Sequence, residues 1–410
     1  MANDQNGNDG NRADKGPTRG DSQWGGMQNI TELYSTGEGS AAVAWLIGAF
    51  KEKGQDLICQ PWNNSGPLYM LVYQWDDTVG GMQPLKPNST NMGEGSAAKA
   101  WLVGDFDGNL KDEVCQIWAS GDDAQMIVYA LADQEMKEVG STPPHTGLGY
   151  KAGAWLVGNI CHPRVAKQNI CQVWNYDGPL GLTIWEWAPD TNDPSKGQME
   201  GIWTSHDLNE GYTAKAWLIG DINGDGLDEV IQVWDNHRVA MIVYGWDKDH
   251  MKVLWGDDIP TEEDISALAW LIGDVNGDGK AEIIQMYNNG GNAASIVYAW
   301  NGSGIVEIAK NTNLTEGSDA VSWQVGDFNG DGRSEVCQMW KHRNGNLGMS
   351  VYAWDGYNLE EIWYNSDMGV THEFKSILVG NVTARSGDNI CQLINDQGGL
   401  DIVVYEGTSS

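Results

Sequence analysis

An all-β chain built from seven copies of one four-stranded unit is predicted by three observations. Residues 215–247 hold three apolar runs of strand length, rich in Val, Ile, Trp and Tyr and separated by Gly/Asp/Asn clusters. That is the signal of short consecutive antiparallel strands. The Gly that closes the first run recurs as Gly48, Gly104, Gly158, Gly220, Gly273, Gly326 and Gly380, at spacings of 56, 54, 62, 53, 53 and 54 residues. Most units then add a fourth strand, as at residues 251–255 or 359–363. A period in this range with about four short strands per unit is that of a β-propeller blade.

Residues 27–34 read as a fourth strand that precedes unit one, and unit seven, which runs to Ser410, lacks one of its own. The expected architecture is a single domain over 27–410, a seven-bladed β-propeller of four-stranded antiparallel blades. Its ring is closed by the N-terminal strand completing the last blade, which removes open sheet edges. Residues 1–26 are expected to form a disordered polar tail, with almost nothing apolar to bury. The tail has no apolar h-region. It contains Arg19-Gly20-Asp21 followed by Ser22, a short match to an integrin-recognition tripeptide of the kind that chance produces.

The loop between the first two strands carries the metal chemistry. In unit four, Asp221, Asn223, Asp225 and Glu229 stand at positions 1, 3, 5 and 9 of a Gly-containing loop, with the Leu227 carbonyl at position 7. Oxygen donors at that spacing converge on one hard cation of calcium size. Unit two supplies Asp105, Asp107, Asn109, the Lys111 carbonyl and Glu113. Unit five supplies Asp274, Asn276, Asp278, the Lys280 carbonyl and Glu282, and unit six Asp327, Asn329, Asp331, the Arg333 carbonyl and Glu335. Asp112 and Asp228, one residue before Glu113 and Glu229, leave open which carboxylate closes those two loops. Unit one, with Ala49, Lys51, Lys53 and Leu57 at these positions, is expected to bind no metal. Unit three has a longer loop without carboxylates, whose Cys161-His162 pair reads as a surface feature, and unit seven is degenerate at Asn381, Thr383, Arg385 and Asn389. Four structural calcium ions are expected.

The pattern of hydrophobic strand, Gly-Asp-x-Asn-Gly-Asp-Gly-x-x-Glu and hydrophobic strand resembles the FG-GAP and VCBS repeat families. The resemblance covers about residues 27–407 and implies a calcium-bearing propeller similar to those of integrin α chains, bacterial surface proteins and fungal lectins. The chain departs from it at position 9, where such loops often carry Asp and all four here carry Glu.

A net charge of −33 argues against nucleic acid and anionic membrane surfaces as partners. Four calcium ions would leave about −25, so much of the negative surface remains. No apolar run approaches the roughly 20 residues of a membrane-spanning helix, so no membrane insertion is expected. Cys59, Cys115, Cys171, Cys337 and Cys391 share one repeat position that Ile231 and Ile284 fill in the other units, which marks a small buried apolar site. Free thiols are expected, since equivalent positions in different units lie beyond the roughly 7 Å a disulfide allows.

The chain has 21 Trp and 14 Tyr against 4 Phe, a bias toward rings with a polar handle. The first-strand set Trp45, Trp101, Trp155, Trp217, Trp270 and Trp323, and the third-strand Tyr set, read as packing between units. The second strands end in Gln-x-aromatic, which places Trp62, Trp118, Trp174, Trp234, Tyr287 and Trp340 at the 2–3 loops, opposite the calcium loops. Beside them run the 4–1 loops with Glu38, Glu94 and Glu210. Indole faces flanked by amides and carboxylates suit a sugar, which stacks its C–H face and hydrogen-bonds its hydroxyls. Repetition around a ring gives avidity.

The sequence therefore points to a calcium-stabilised, multivalent lectin, a monomer with several equivalent sites for glycans or glycoproteins, and not an enzyme. An integrin-type protein-interaction scaffold is the alternative, favoured by unlike 2–3 loops such as residues 119–123 and 341–346. A polysaccharide lyase is the third reading, for which the scattered His residues supply no acid/base constellation. Low-affinity calcium loops together with the absence of a leader suggest extracellular action after leaderless release.

Overall fold

Unit four shows how the repeat folds. Ala216–Gly220, Glu229–Asp235, Val239–Asp247 and His250–Ile259 pair in that order, each antiparallel to the next. The second strand is buried over Val230, Ile231, Gln232 and Val233, because sheets of neighbouring units cover both of its faces. The fourth strand is largely exposed, with Met251 and Ile259 buried, as expected of an edge. The computed structural model describes residues 24–31, 35–38, 42–63, 67–85, 92, 98–120, 123–142, 152–162, 167–175, 179–205, 208, 214–235, 238–259, 266–314, 320–341, 346–368, 373–396 and 399–409. Among these every regular element is a strand, and no helix is long and apolar enough to cross a membrane.

Units one, five and six form four-stranded sheets of the same order. Units two and three do so too, and a single parallel bridge between Gly140 and Gly197 joins their outer strands into one eight-stranded sheet. A Cβ on Gly140 would stand 1.8 Å from the Gly197 carbonyl oxygen, so this bridge exists only because the position is Gly.

Unit seven contributes Glu373–Gly380, Asn389–Asp396 and Gly399–Ser409. Its fourth strand comes from the other end of the chain, three residues earlier than the sequence reading placed it. Trp24–Asn29 pairs antiparallel with the last strand, from Trp24 opposite Ser409 to Asn29 opposite Tyr405. A second short segment, Ser35–Glu38, pairs with Gly399–Asp401 of the same strand. The shift has a packing cause: Trp24 and Met27 are buried in a cluster with Phe328, Met349 and Tyr405. Residues 1–23, including Arg19-Gly20-Asp21, lie outside the described residues.

The repeated Gly is explained by the contact between units. A Cβ on Gly48 would stand 2.6 Å from Val103 of unit two, and the same close approach sets Gly104 against Val157, Gly158 against Ile219, and Gly220 against Ile272. It continues with Gly273 against Val325 and Gly326 against Val379, and Gly380 of unit seven meets Ile47 of unit one at 2.8 Å. Main-chain hydrogen bonds follow the same path. The N–H of loop position 8 donates to the position 1 carbonyl of the preceding unit, as in Asp228 to Asn159 at 2.8 Å, Ser334 to Asp274 at 2.7 Å and Asp56 to Asn381 at 2.8 Å.

The cysteines follow the sequence reading. Cys59, Cys115, Cys171, Cys337 and Cys391 are buried free thiols in apolar surroundings, and Cys161 is a partly exposed one. Burial pushes the Cys161 thiol up to about 12, which makes it a poor nucleophile at neutral pH.

Candidate metal loops and aromatic rim

The four acidic loops share one backbone path. Position 2 is a buried anchor (Phe106, Ile222, Val275, Phe328), and position 4 is Gly at a φ of 74–80°. The position 1 carboxylate holds the turn from inside: Asp105 Oδ1 accepts from the Gly108 N–H at 2.8 Å and Oδ2 from Leu110 at 2.9 Å, and Asp221, Asp274 and Asp327 do the same work in their units. Position 6 is Gly226, Gly279 and Gly332 at φ of 85–88° in units four to six, but Leu110 at 69° in unit two. Leu110 therefore takes a left-handed conformation that its Cβ disfavours.

The closing carboxylate is the Glu in every case. Glu113 Oε2 accepts from the Phe106 N–H at 2.9 Å, Glu229 from Ile222 at 3.1 Å, Glu282 from Val275 at 3.1 Å and Glu335 from Phe328 at 2.8 Å. Asp112 and Asp228 turn out of the loop and accept from the Ala49 and Asn159 N–H groups of the preceding unit, both at 2.7 Å. In the hydrogen bonding of the loops, Glu113 and Glu229 face inward and Asp112 and Asp228 do not. The register agrees, since Glu113 lies opposite Gly104 and Glu229 opposite Gly220 in the strand ladder.

Among the four acidic loops, that of unit two brings its carboxylates closest together. The carboxylate oxygens of Asp105, Asp107 and Glu113 lie within 4.8 Å of one another, and Glu113 Oε1 is buried without a hydrogen-bond partner among the described residues. Such a donor set fits a hard metal ion. Burial, then the charge of Asp107, pushes Glu113 up to about 8. Burial likewise raises Glu229 and Glu335 to about 8 and Glu282 to about 7. In units four to six position 3 is Asn, and Asn223, Asn276 and Asn329 donate to the closing Glu at 2.5, 2.8 and 2.7 Å. Position 5 accepts from the position 7 N–H in every loop, Asn109 from Lys111, Asp225 from Leu227, Asp278 from Lys280 and Asp331 from Arg333, whose guanidinium also donates to Asp331, while Asn109 Nδ2 donates to Asp107.

The aromatic rim divides into two groups. Trp174, Tyr287 and Trp340 are buried, at 1%, 3% and 3% exposure, and present no open ring face. The cross-strand partners of two of them explain this: Gly181 and Gly348 leave room for the Trp174 and Trp340 rings to lie flat on the sheet. Trp174 Nε1 also donates to Thr183, and Trp340 stacks on Tyr364 at 5.4 Å. Trp62, Trp118 and Trp234 are half-buried. Trp62 stacks on Tyr69 at 4.9 Å, and the indole N–H groups of Trp62 and Trp118 have no partner among the described residues. Trp234 lines a cleft of about 500 Å³ with Ala240, Ile242, Val253, Asp257 and Asp258. Glu38 lies in the short strand on unit seven, and Glu94 and Glu210 fall outside the described residues.

The repeated Gln does not join that rim, contrary to the sequence reading. Gln60, Gln116, Gln172, Gln232, Gln285, Gln338 and Gln392 are fully buried. Each accepts from the third-strand aromatic of its own unit, as in Tyr244 to Gln232 at 3.0 Å, Tyr352 to Gln338 at 2.7 Å and Trp185 Nε1 to Gln172 at 3.1 Å. A buried hydroxyl needs a partner, and the recurrence of Gln with Tyr thirteen or so residues later was the signal available in the sequence. The first-strand Trp set is half-buried against adjoining units, as expected of packing residues.

Residues 274–337, which are units five and six across their loops, match the FG-GAP-like repeat family. No curated protein sequence matches the chain. Among solved structures, the WD40 domain of Toxoplasma gondii coronin is similar over 93% of this chain and 89% of its own, with a TM-score of 0.52 and 10% identity. The rhamnogalacturonan lyase YesW is similar over 92% of this chain and 75% of its own, with a TM-score of 0.44 and 14% identity. The repeat match and the WD40 likeness define a repeat protein of β-propeller type.

Proposed function

We propose that the chain is a seven-bladed, ring-closed β-propeller that binds carbohydrate on the side opposite its acidic loops and is held together by four calcium ions. It acts as a binding protein without catalysis. The path of contacts from unit to unit, ending with Gly380 against Ile47 and with the first strand on the last, supports closure. The converging carboxylates of unit two support a bound divalent cation, and the common backbone path extends the reading to units four to six.

The observation that carries the binding function is the cleft at Trp234. A half-buried indole faces open space beside Asp257 and Asp258, which combines a stacking surface with hydroxyl acceptors in one recess. Trp62 and Trp118 occupy the matching strand ends in units one and two, so the reading gives up to three such positions and not six. The test is a broad glycan array probed with calcium-loaded protein and with the Trp234→Ala variant. Signal on one terminal sugar that the variant weakens supports the proposal. Silence from folded wild-type protein on every glycan sinks it and favours a protein partner.

A further inference from the structure

The three units without acidic loops have something else in common. The third-strand residue that follows the Gln-bonded aromatic is Ala130, Gly245, Ala299 and Ala353 in units two, four, five and six. In units one, three and seven it is Gln74, Glu186 and Glu406. A side chain of Ala size cannot reach the loop, whereas the three long polar ones do, and each meets a basic group there.

In unit seven the Arg385 guanidinium, at loop position 5, donates to Glu406 at 2.7 Å, and Thr383, at position 3, donates to the same carboxylate at 3.2 Å. In unit one Lys51, at position 3, donates to Gln74 at 3.3 Å, and Gln74 donates to Gln55 at 2.9 Å. In unit three Lys167 donates to Glu186 at 2.5 Å, and His162 Nε2 stands 3.1 Å from the other oxygen. In units one and seven a cation, Lys51 at position 3 and Arg385 at position 5, thus stands where a metal ligand would, and an acceptor on the third strand holds it.

We infer that units one, three and seven carry a built-in cation, supplied by Lys51, by Lys167 with His162, and by Arg385, in place of the ion bound by the other four. This rests on the calcium reading of those four. The polar third-strand residue and the acidic loop are alternative ways to tie the loop to its sheet, and each unit has one of them. Arg385 also donates to Asp77 of unit one at 2.8 Å. The joint between the first and last units therefore lies between two ion-independent loops, and loss of calcium loosens the chain elsewhere first.

The test counts calcium bound to the wild-type chain and compares melting temperatures in saturating calcium and in chelator for three variants. Glu406→Ala and Lys51→Ala are expected to melt a few degrees lower by the same amount in both conditions, with the ion count unchanged. Glu229→Gln is expected to lose one ion and to melt lower only in calcium. If Glu406→Ala fails to fold, Lys51→Ala, on an exposed pair, reads the same quantity. A wild type that binds calcium together with Glu406→Ala or Lys51→Ala losses confined to calcium, or with an altered ion count, overturns the inference alone. A wild type that binds no calcium overturns the calcium reading and the inference with it. Hydrogen exchange in chelator gives an independent arm: residues 24–29 and 399–409 should stay protected while the unit-five loop opens, and the reverse order refutes an ion-independent joint.

Discussion

The Asp112 carboxylate accepts a hydrogen bond from the Ala49 main-chain N–H of the preceding unit at 2.7 Å, while Glu113, the next residue, turns back into its own loop. Adjacent carboxylates on a strand point to opposite sides, so one ties two units together and the other faces the acidic cluster. Asp56, Asp228 and Asp388 repeat the tie, and burial raises each above the ordinary carboxylate range.

Separating the two roles is a direct experiment. Asp112→Ala leaves a partly buried N–H without its partner and should cost about 1 kcal/mol, measured by denaturant unfolding, with bound calcium unchanged. Glu113→Gln should remove one ion. Equal ion loss in both variants would refute the assignment.

Stability in chelator should fall as pH rises from about 5 to 8. The closing glutamates sit at about 8 for Glu113, Glu229 and Glu335 and about 7 for Glu282, above the roughly 4.3 of an unfolded chain. A raised folded value means that the fold favours the protonated form, so this contribution is full at low pH and lost through the folded value. Calcium, which needs the ionised form, should cancel the loss. Melting curves at pH 5, 6.5 and 8 with and without calcium check the sign.

Leu110→Gly should stabilise the protein by about 0.5–1 kcal/mol. Relief of the left-handed strain, about 1–2 kcal/mol, exceeds the added freedom of an unfolded Gly. Leu110 is half exposed, so little packing is lost. A lower unfolding midpoint in the variant would contradict this.

Tyr244→Phe and Trp340→Ala probe the interior, where no effect on ligand is expected beyond folding. Loss of the Tyr244 hydroxyl from buried Gln232 should cost about 1–2 kcal/mol. Truncating buried Trp340 should cost about 3–5 kcal/mol. Glycan binding by folded Tyr244→Phe should match wild type, in contrast to Trp234→Ala. Reduced binding by Tyr244→Phe at full folding would mean that the buried pair reaches the ligand surface.

Local pattern alone determined the strands, the repeat, the acidic loops and the shared cysteine position, because each is written within one unit at a fixed spacing and repeated with variations. Strand period, turn residues and ligand spacing are properties of consecutive residues. What the sequence could not decide were relations between units and between strands. The Gln that reads as a rim amide is a buried acceptor for Tyr, Trp174 and Trp340 collapse onto glycines opposite them, and Asp112 serves the preceding unit. Trp24 joins the last sheet from the far end of the chain. Each outcome depends on which residue a side chain meets across a ladder or a joint, and that is fixed only when distant segments pack.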